Sequence, residues 1–410
     1  MQIEFFNFFN LSVALICLCS AGYLAFALFA VERFNYKRKR SNSVNDYQPP
    51  VTLLKPIYGL DAELIKNLRS FCQQDYPDYQ IIFGLHSNDD LALPIVKKII
   101  KEFKKLDVSY VIDSRIYGCN HKVSNLINMY PTAKHDFLLI ADSDMRVPPN
   151  YLSELMSPFA DTTVGAVTSL YSGSARGKLA SSLNAMFINE WFLPSVLISR
   201  ILQPIKFCLG ATMIVRRDLL KEIGGFKSLS DYLADDYMLG KLISDLGYKI
   251  HLSDFIVENV VEEASFKDLI LHELRWARTL RRVEPLGYFF TFLTDTLVIS
   301  SFTAAIFYMA TQNVGLSLSP VLLVLLARIV LHSRTKRITG SNSAGSIWLI
   351  PLRDILSFSI RVISFTGTSI QWRNNAFNVD QSGLIHAEKK LLIELDSVED
   401  IPDLATSQDY

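Results

Sequence analysis

Phe5 to Val31 contains no charged residue, and this run constrains the chain more than any other feature. A helix of that length matches a hydrocarbon layer ~30 Å thick, whereas a short soluble core could not cover so many apolar side chains. Arg33, Lys37, Arg38, Lys39 and Arg40 follow at once. A secretory signal places its positive residues before the apolar run and ends in small residues, so the order here predicts an uncleaved anchor. The positive-inside rule then puts the N-terminus outside and everything after Arg33 in the cytoplasm. Residues 1–32 are read as the anchor, and the basic, polar stretch 33–50 with its double proline as a linker.

Other properties agree with a membrane protein: 50% of the residues are hydrophobic and the mean hydropathy is +0.21. Lys and Arg number 41 against 41 Asp and Glu, so no basic footprint points to nucleic acid. Cys17 and Cys19 lie in the apolar run, and Cys72, Cys119 and Cys208 are far apart without metal-ligand spacing. They read as reduced core or lipid-facing thiols on the cytoplasmic side.

From Val51 the pattern changes. Val51 to Leu54 is an apolar run stopping at Lys55-Pro56, and a helical stripe of Leu64, Leu68 and Phe71 follows. Ile81 to Leu85 and Val108 to Ile112 repeat the strand pattern, with helical spacing from Leu93 to Leu106 and from Ser124 to Met129. Strands alternating with helices predict an α/β domain with a largely parallel sheet covered on both faces. No G-x-G-x-x-G follows the first strand and no P-loop motif occurs, which argues against a dinucleotide fold and a P-loop enzyme.

Phe137 to Ala141 is another buried strand, and it breaks off into Asp142-Ser143-Asp144. Alternate residues of an extended segment point to one side, so both carboxylates can converge at the sheet edge where α/β proteins bind ligands. Hard divalent cations take such oxygens, although Asp and Ser also end strands as ordinary turns. Val164 to Leu170 and Cys208 to Val215 are further strands. Leu179 to Ile205 is apolar but interrupted by Glu190, Pro194, Arg200 and Pro204, which suits a surface amphipathic element or a buried core helix better than a span. Asp235 and Asp236 open a helix, where two acids suit the positive end of the helix dipole.

After Arg281-Arg282, Tyr288 to Ala310 and Gly315 to Leu331 read as a membrane hairpin, with Asp295 facing another helix or the cytoplasmic domain and Arg328 snorkelling. In Ile347 to Ile370, Arg353, Asp354, Ser357, Arg361 and Ser364 form one polar stripe, so that segment either spans, lies in the interface or packs its stripe on the catalytic domain. The expected layout is a catalytic domain over 51–285, a membrane region over 286–370 and a polar tail over 371–410.

The succession of Lys55-Pro56, Asp89-Asp90, Asp142-Ser143-Asp144, Ala234-Asp235-Asp236 and His272-Glu273-Leu274-Arg275-Trp276 resembles the ceramide glucosyltransferase-type glycosyltransferases of family 21. The likeness runs from Val51 to Arg373. It leans to the bacterial branch associated with hopanoid biosynthesis, through Asn120 to Leu126, Ala141 to Val147 and Ala234 to Gly240. The resemblance implies a GT-A nucleotide-diphosphosugar domain in the bacterial inner membrane, its catalytic side cytoplasmic. Asp142 and Asp144 would hold Mg or Mn, and Asp142 would also bind substrate. Asp236 would act as base with Asp235 beside it. Arg275 and Lys122 would face the diphosphate, and Trp276 would stack on the sugar or cap the site. His272 and Gly210 complete the substrate set. This family often carries an acid where Ser87 stands, so the uridine contact falls to Asp90 or Asp89.

The activity so implied is inverting transfer of glucose or N-acetylglucosamine from a UDP-sugar to a lipid hydroxyl, on ceramide or a hopanoid polyol. A processive polysaccharide synthase shares the motifs but needs more spans. An idle membrane scaffold would not need every acid and Arg275, and sugar nucleotidyltransferases need no anchor.

Overall fold

The computed structural model describes residues 2–40, 47–340, 345–367, 369–372, 375–380 and 383–387. Strands β1 (Val51–Pro56), β2 (Tyr79–Leu85), β3 (Asp107–Ile112) and β4 (Phe137–Ile140) are parallel, with β1 between β2 and β4. With β5 (Met145–Arg146), β6 (Val164–Ala175), β7 (Met213–Arg216) and β8 (Lys249–Val261) they form one sheet, ordered β3-β2-β1-β4-β7-β6-β8-β5. β7 is antiparallel to both neighbours, and β5 is antiparallel to β8. The sheet is therefore mixed where a largely parallel one was expected. Apolar runs report burial on two faces, and burial is blind to strand direction.

The strand expected from Cys208 is shorter than the apolar run. Leu209 and Thr212 close a small turn, so the ladder begins only at Met213 and Gly210 is released from the sheet. Lys55 lies wholly inside the core of β1. Its ammonium sits 3.6 Å from the centroid of the Phe71 ring and donates to the carbonyl of Asp142 at 2.6 Å, tying the end of β1 to the loop after β4.

Leu179 to Leu202 is helical throughout, with a π-helical turn over Ile188–Phe192. It is long and apolar enough to cross a membrane, but half of it is buried inside the protein. Asn189 exchanges two 2.9 Å hydrogen bonds with the backbone of Gly173 on β6, and Glu190 is buried against His332 at 2.7 Å. The buried-helix reading is the one observed, because those polar groups find partners only against the sheet and the later helices.

Helix Gln2–Arg40 contains the first apolar run, and Val314–Thr339 is a second candidate span of mean hydropathy 2.3. The first leg of the expected hairpin is not continuous. Pro285–Thr294 and Thr296–Thr311 meet at a 59° bend at Asp295, whose carboxylate accepts from Arg361 Nε at 2.8 Å. By length and composition there are three candidate spans among the described residues, or up to four if the bent pair is one. Arg328 does not snorkel. It is buried and bidentate to Asp354 at 2.6 and 3.0 Å. An intramembrane guanidinium with a carboxylate in reach gains more from the pair than from a stretched path to the interface.

Helix Ile350–Ser364 turns its polar stripe inward: Arg353, Asp354, Arg361 and Ser364 are all buried. The polar tail expected from Gln371 begins with three short antiparallel strands, β9 (Ser369–Trp372), β10 (Asn375–Val379) and β11 (Ile385–Ala387), which bury Phe377, Val379 and Ile385 against Leu233. The loosely ordered end expected after Glu388 lies outside the described residues.

The close approach of β6 to the Leu179–Phe187 helix requires Gly173, since a Cβ there would lie 2.6 Å from the Cα of Ala185. Gly173→Val is expected to destabilise the fold by about 1–3 kcal/mol through overpacking, read as a lowered Tm in detergent. Gly22→Ala, where a Cβ meets nothing within 4 Å, is the matched control and should leave Tm nearly unchanged.

Candidate active site

The acids converge outside the ends of the strands. Asp142 and Asp144 follow β4, and Asn259 on β8 donates to Asp144 Oδ2 at 2.9 Å. The other oxygen of Asp144 is buried with no partner among the described atoms. Asp235 and Asp236 begin helix Asp235–Asp245. Asp236 is fixed by two backbone donors, Gly210 N–H at 2.7 Å and Tyr237 N–H at 2.8 Å. A Cβ at Gly210 would sit 3.1 Å from Asp236 and 3.6 Å from Asp142, so only glycine leaves the space between these carboxylates open.

Lys122 joins the two acidic motifs. Its Nζ lies 2.7 Å from Asp142 and 3.7 Å from Asp235. It is carried on helix His121–Met129, whose N-cap Asn120 accepts from Val123 N–H and reaches across to the carbonyl of Tyr232 at 2.9 Å and to Asp235 at 3.4 Å. Burial works against the ammonium, but Asp142 and Asp235 outweigh it and hold Lys122 above its usual range. Burial, with Asp142 and Asp61 adding, pushes Asp144 up to about 7, and burial beside Asp235 pushes Asp236 up to about 6. Burial also drives Lys55 down to about 7 despite the pull of Asp142 and Asp144.

Asp142, Asp144, Lys122, Asp235 and Asp236 line one cavity of about 710 Å³. The same cavity is lined by Phe187, Trp191, Phe192 and Trp276 and by Tyr288, Ile360 and Arg361 of the later apolar helices. Trp276 packs among Phe187, Phe192 and His272, with ring centroids 6.0, 5.9 and 5.4 Å away. Arg275 lines the same cavity. His272 donates through Nδ1 to Glu263 at 2.8 Å, and Asn184 donates to the same oxygen at 2.6 Å, which fixes the ring.

Nine of the eleven expected site positions belong to this lining, namely Asp142, Asp144, Lys122, Gly210, Asp235, Asp236, His272, Arg275 and Trp276, whereas Asp89 and Asp90 do not. Asp90 accepts from Gly59 N–H and Ala92 N–H, closing the turn ahead of helix Leu93–Glu102, and Asp89 is exposed. In their place the cavity receives Asp61, which accepts from Ser143 Oγ, together with Tyr58, His86 and His121. Asp61 could have been noticed as an acid soon after the Lys55-Pro56 strand end. Asn259 left no signal, because it meets Asp144 across 115 positions of chain.

Among the described residues no three His, Cys, Asp or Glu side chains form a finished metal cage. Asp142 and Asp144 nonetheless offer hard oxygens, one of them unpartnered, which fits a divalent ion that completes its shell with phosphate oxygens and water.

Asp236 also carries a pH signature. Its carboxyl titrates near 3.8 when unfolded and about 6 when folded, so the native state binds more protons between those values and stability falls as pH rises through them. Asp236→Asn removes this dependence. The Tm of the variant relative to the parent is expected to increase from about pH 4 to about pH 8, and an equal difference at both would contradict the burial argument.

The fold is the expected α/β domain, its sheet mixed, with long apolar helices before and after it. It is similar to the mannosyltransferase PcManGT of Pyrobaculum calidifontis, solved with GDP-Man and Mn2+, at 16% identity and a TM-score of 0.47, covering 86% of this chain and 99% of that one. In sequence the chain is 25% identical to ceramide glucosyltransferase 3 of Caenorhabditis elegans over 381 residues, which is 86% of this chain and 77% of that protein. It is 23% identical to ceramide glucosyltransferase 1 of the same organism over 368 residues, 83% of this chain and 74% of that one. The glycosyl transferase family 21 model matches residues 12–385, nearly the whole described chain. The chain belongs to glycosyl transferase family 21 and is a ceramide glucosyltransferase-like glycosyltransferase.

Proposed function

We propose that this protein is an inverting transferase that takes glucose or N-acetylglucosamine from a UDP-sugar in the cytoplasm and adds it in β linkage to the hydroxyl of a membrane lipid. The observation that carries this reading is the single cavity running from the acid cluster to the apolar helices. A soluble acceptor needs no aromatic corridor ending at membrane segments. A lipid hydroxyl at headgroup level does.

The geometry supports a role for each group. Lys122 and Arg275 bind the diphosphate by charge-assisted hydrogen bonds, and Asp142 and Asp144 would hold Mg or Mn, which when bound neutralises charge on the leaving diphosphate. The acceptor hydroxyl attacks the anomeric carbon from the face opposite the diphosphate, the carbon–oxygen bond to the diphosphate breaks, and the hydroxyl proton passes to Asp236. Asp236 suits this task better than Asp235, because two backbone N–H groups hold it in place while Asp235 is engaged by Lys122 and Asn120. Trp276 and His272 position the sugar and acceptor. Asp61, with Tyr58, His86 and His121, supplies the uridine end that Asp89 and Asp90 do not reach.

The acceptor is ceramide or a hopanoid polyol. Similarity to ceramide glucosyltransferases supports the first, and the motifs Asn120 to Leu126 and Ala234 to Gly240 support the second, with residence in a bacterial plasma membrane. Residues 1–32 serve as anchor, 33–50 as linker, 51–285 as the cytoplasmic domain and 286–370 as the membrane region. The three or four candidate spans among the described residues, Leu179–Leu202 included, are too few to enclose a polymer channel, which disfavours a processive synthase.

Mass spectrometry of lipids from a host expressing the chain is expected to reveal a monoglycosylated ceramide or hopanoid. It should be absent with Asp236→Asn, whose transfer falls by ~10²-fold or more while donor binding persists. A soluble or polymeric product, or full activity of Asp236→Asn, would overturn the reading.

A further inference from the structure

Helix Ile350–Ser364 is only ~22 Å long at 1.5 Å per residue, too short to span the ~30 Å layer, and it is divided along its length. Its outer face exposes Leu352, Ile355, Val362 and Ile363 at 42–56%, and Trp348 just before it is 88% exposed. The inner face carries three arginine and aspartate side chains, each ending on a different part of the protein. Arg353 grips Glu273 with both terminal nitrogens, at 2.6 and 2.7 Å, and donates to the carbonyl of Leu183 at 3.1 Å. Its guanidinium lies 5.5 Å from the Phe187 ring. Asp354 takes Arg328 from helix Val314–Thr339, and Arg361 takes Asp295 at the bend.

The Arg353 contact is the one that reaches the chemistry. Glu273 is 3% exposed and sits on helix Phe266–Val283, beside Arg275 and Trp276. Leu183 and Phe187 share helix Leu179–Phe187, and Phe187 lines the cavity beside Trp276. One buried fork therefore fixes the distance between the helix that presents Arg275 and the wall against which Trp276 packs. A buried ion pair adds little net stability because desolvation offsets its attraction, but its two-point geometry specifies a single register.

We infer that Arg353 is a positioning residue acting through Glu273, and that helix Ile350–Ser364 makes turnover depend on its apolar face being seated in lipid. The inference rests on the membrane glycosyltransferase reading. The occupant of that face is the cytoplasmic leaflet, because the buried stripe ties the helix to the apolar helices through Arg328 and Asp295, and the exposed Trp348 just before it is the residue type that anchors at headgroup level. Lipid sets the height and rotation of the helix, and the rigid fork passes that setting to Arg275 and Trp276.

The test uses the full chain in phosphatidylglycerol–phosphatidylethanolamine vesicles and in detergent. Turnover is followed as UDP release, with UDP affinity and Tm measured on the same preparations. Arg353→Lys keeps the charge but loses the fork. It is expected to lower kcat at least ~10-fold, as a shift of about 1 Å at reacting groups does, while Tm is held. Ile355→Glu with Val362→Glu, on the outer face and away from the cavity, should remove the advantage of vesicles over detergent without changing UDP affinity. Unchanged kcat in Arg353→Lys, or a vesicle-to-detergent ratio that the outer-face variant leaves intact, overturns the inference. So does loss of kcat, UDP affinity and Tm together, which marks an ordinary core contact. A parent chain that binds no UDP fails the glycosyltransferase reading instead.

Discussion

Lys122 carries the charge on which the active site depends. Four carboxylates at the end of a sheet repel one another, and burial makes each anion more costly. The ammonium stands between Asp142 and Asp235, one from each acidic motif, and is held charged by both. Lys55 adds a donor from inside the core, to the Asp142 backbone, although burial drives its own ionisation down to about 7. Removal of either cation would leave acids that must take up protons, and a protonated cluster has little capacity for a cation or for accepting a proton from an alcohol. The raised Asp144 and Asp236 values show how near that limit the site already lies.

A second set of buried charges supports the other end of the cavity. Glu190 with His332, Arg328 with Asp354, Arg361 with Asp295 and Arg353 with Glu273 connect elements far apart in sequence. Apolar contacts would bury these helices as well, but they slide and would tolerate several registers. Directional pairs tolerate one. The corridor between catalytic acids and apolar helices thus has walls fixed by charge and a lining of aromatic rings, a combination suited to an amphipathic molecule with its polar end toward the acids.

Small residues set the distances. Gly173 allows the Leu179–Phe187 helix to lie on β6, and Gly210 leaves open the space between Asp236 and Asp142. Neither has a positive φ that would have required glycine, although Gly210 sits in the small turn between Leu209 and Thr212. Both are glycine because something else occupies the place of a side chain.

The sequence by itself determined the class of fold, the apolar segments and most of the acids that meet in the cavity. Strand and helix periods are local, a charge-free run has one use, and Asp142, Asp144, Asp235 and Asp236 sit in short motifs whose spacing is legible in one dimension. Long-range pairing was not legible. Tertiary structure alone gave β7 its antiparallel direction, bent the chain at Asp295, matched Arg328 with Asp354, and brought Asp61 rather than Asp90 into the cavity. The cause is the same in each case: a buried polar group goes where a partner can satisfy it, and the partner is chosen by folding across tens to hundreds of residues, a distance over which local pattern carries no information.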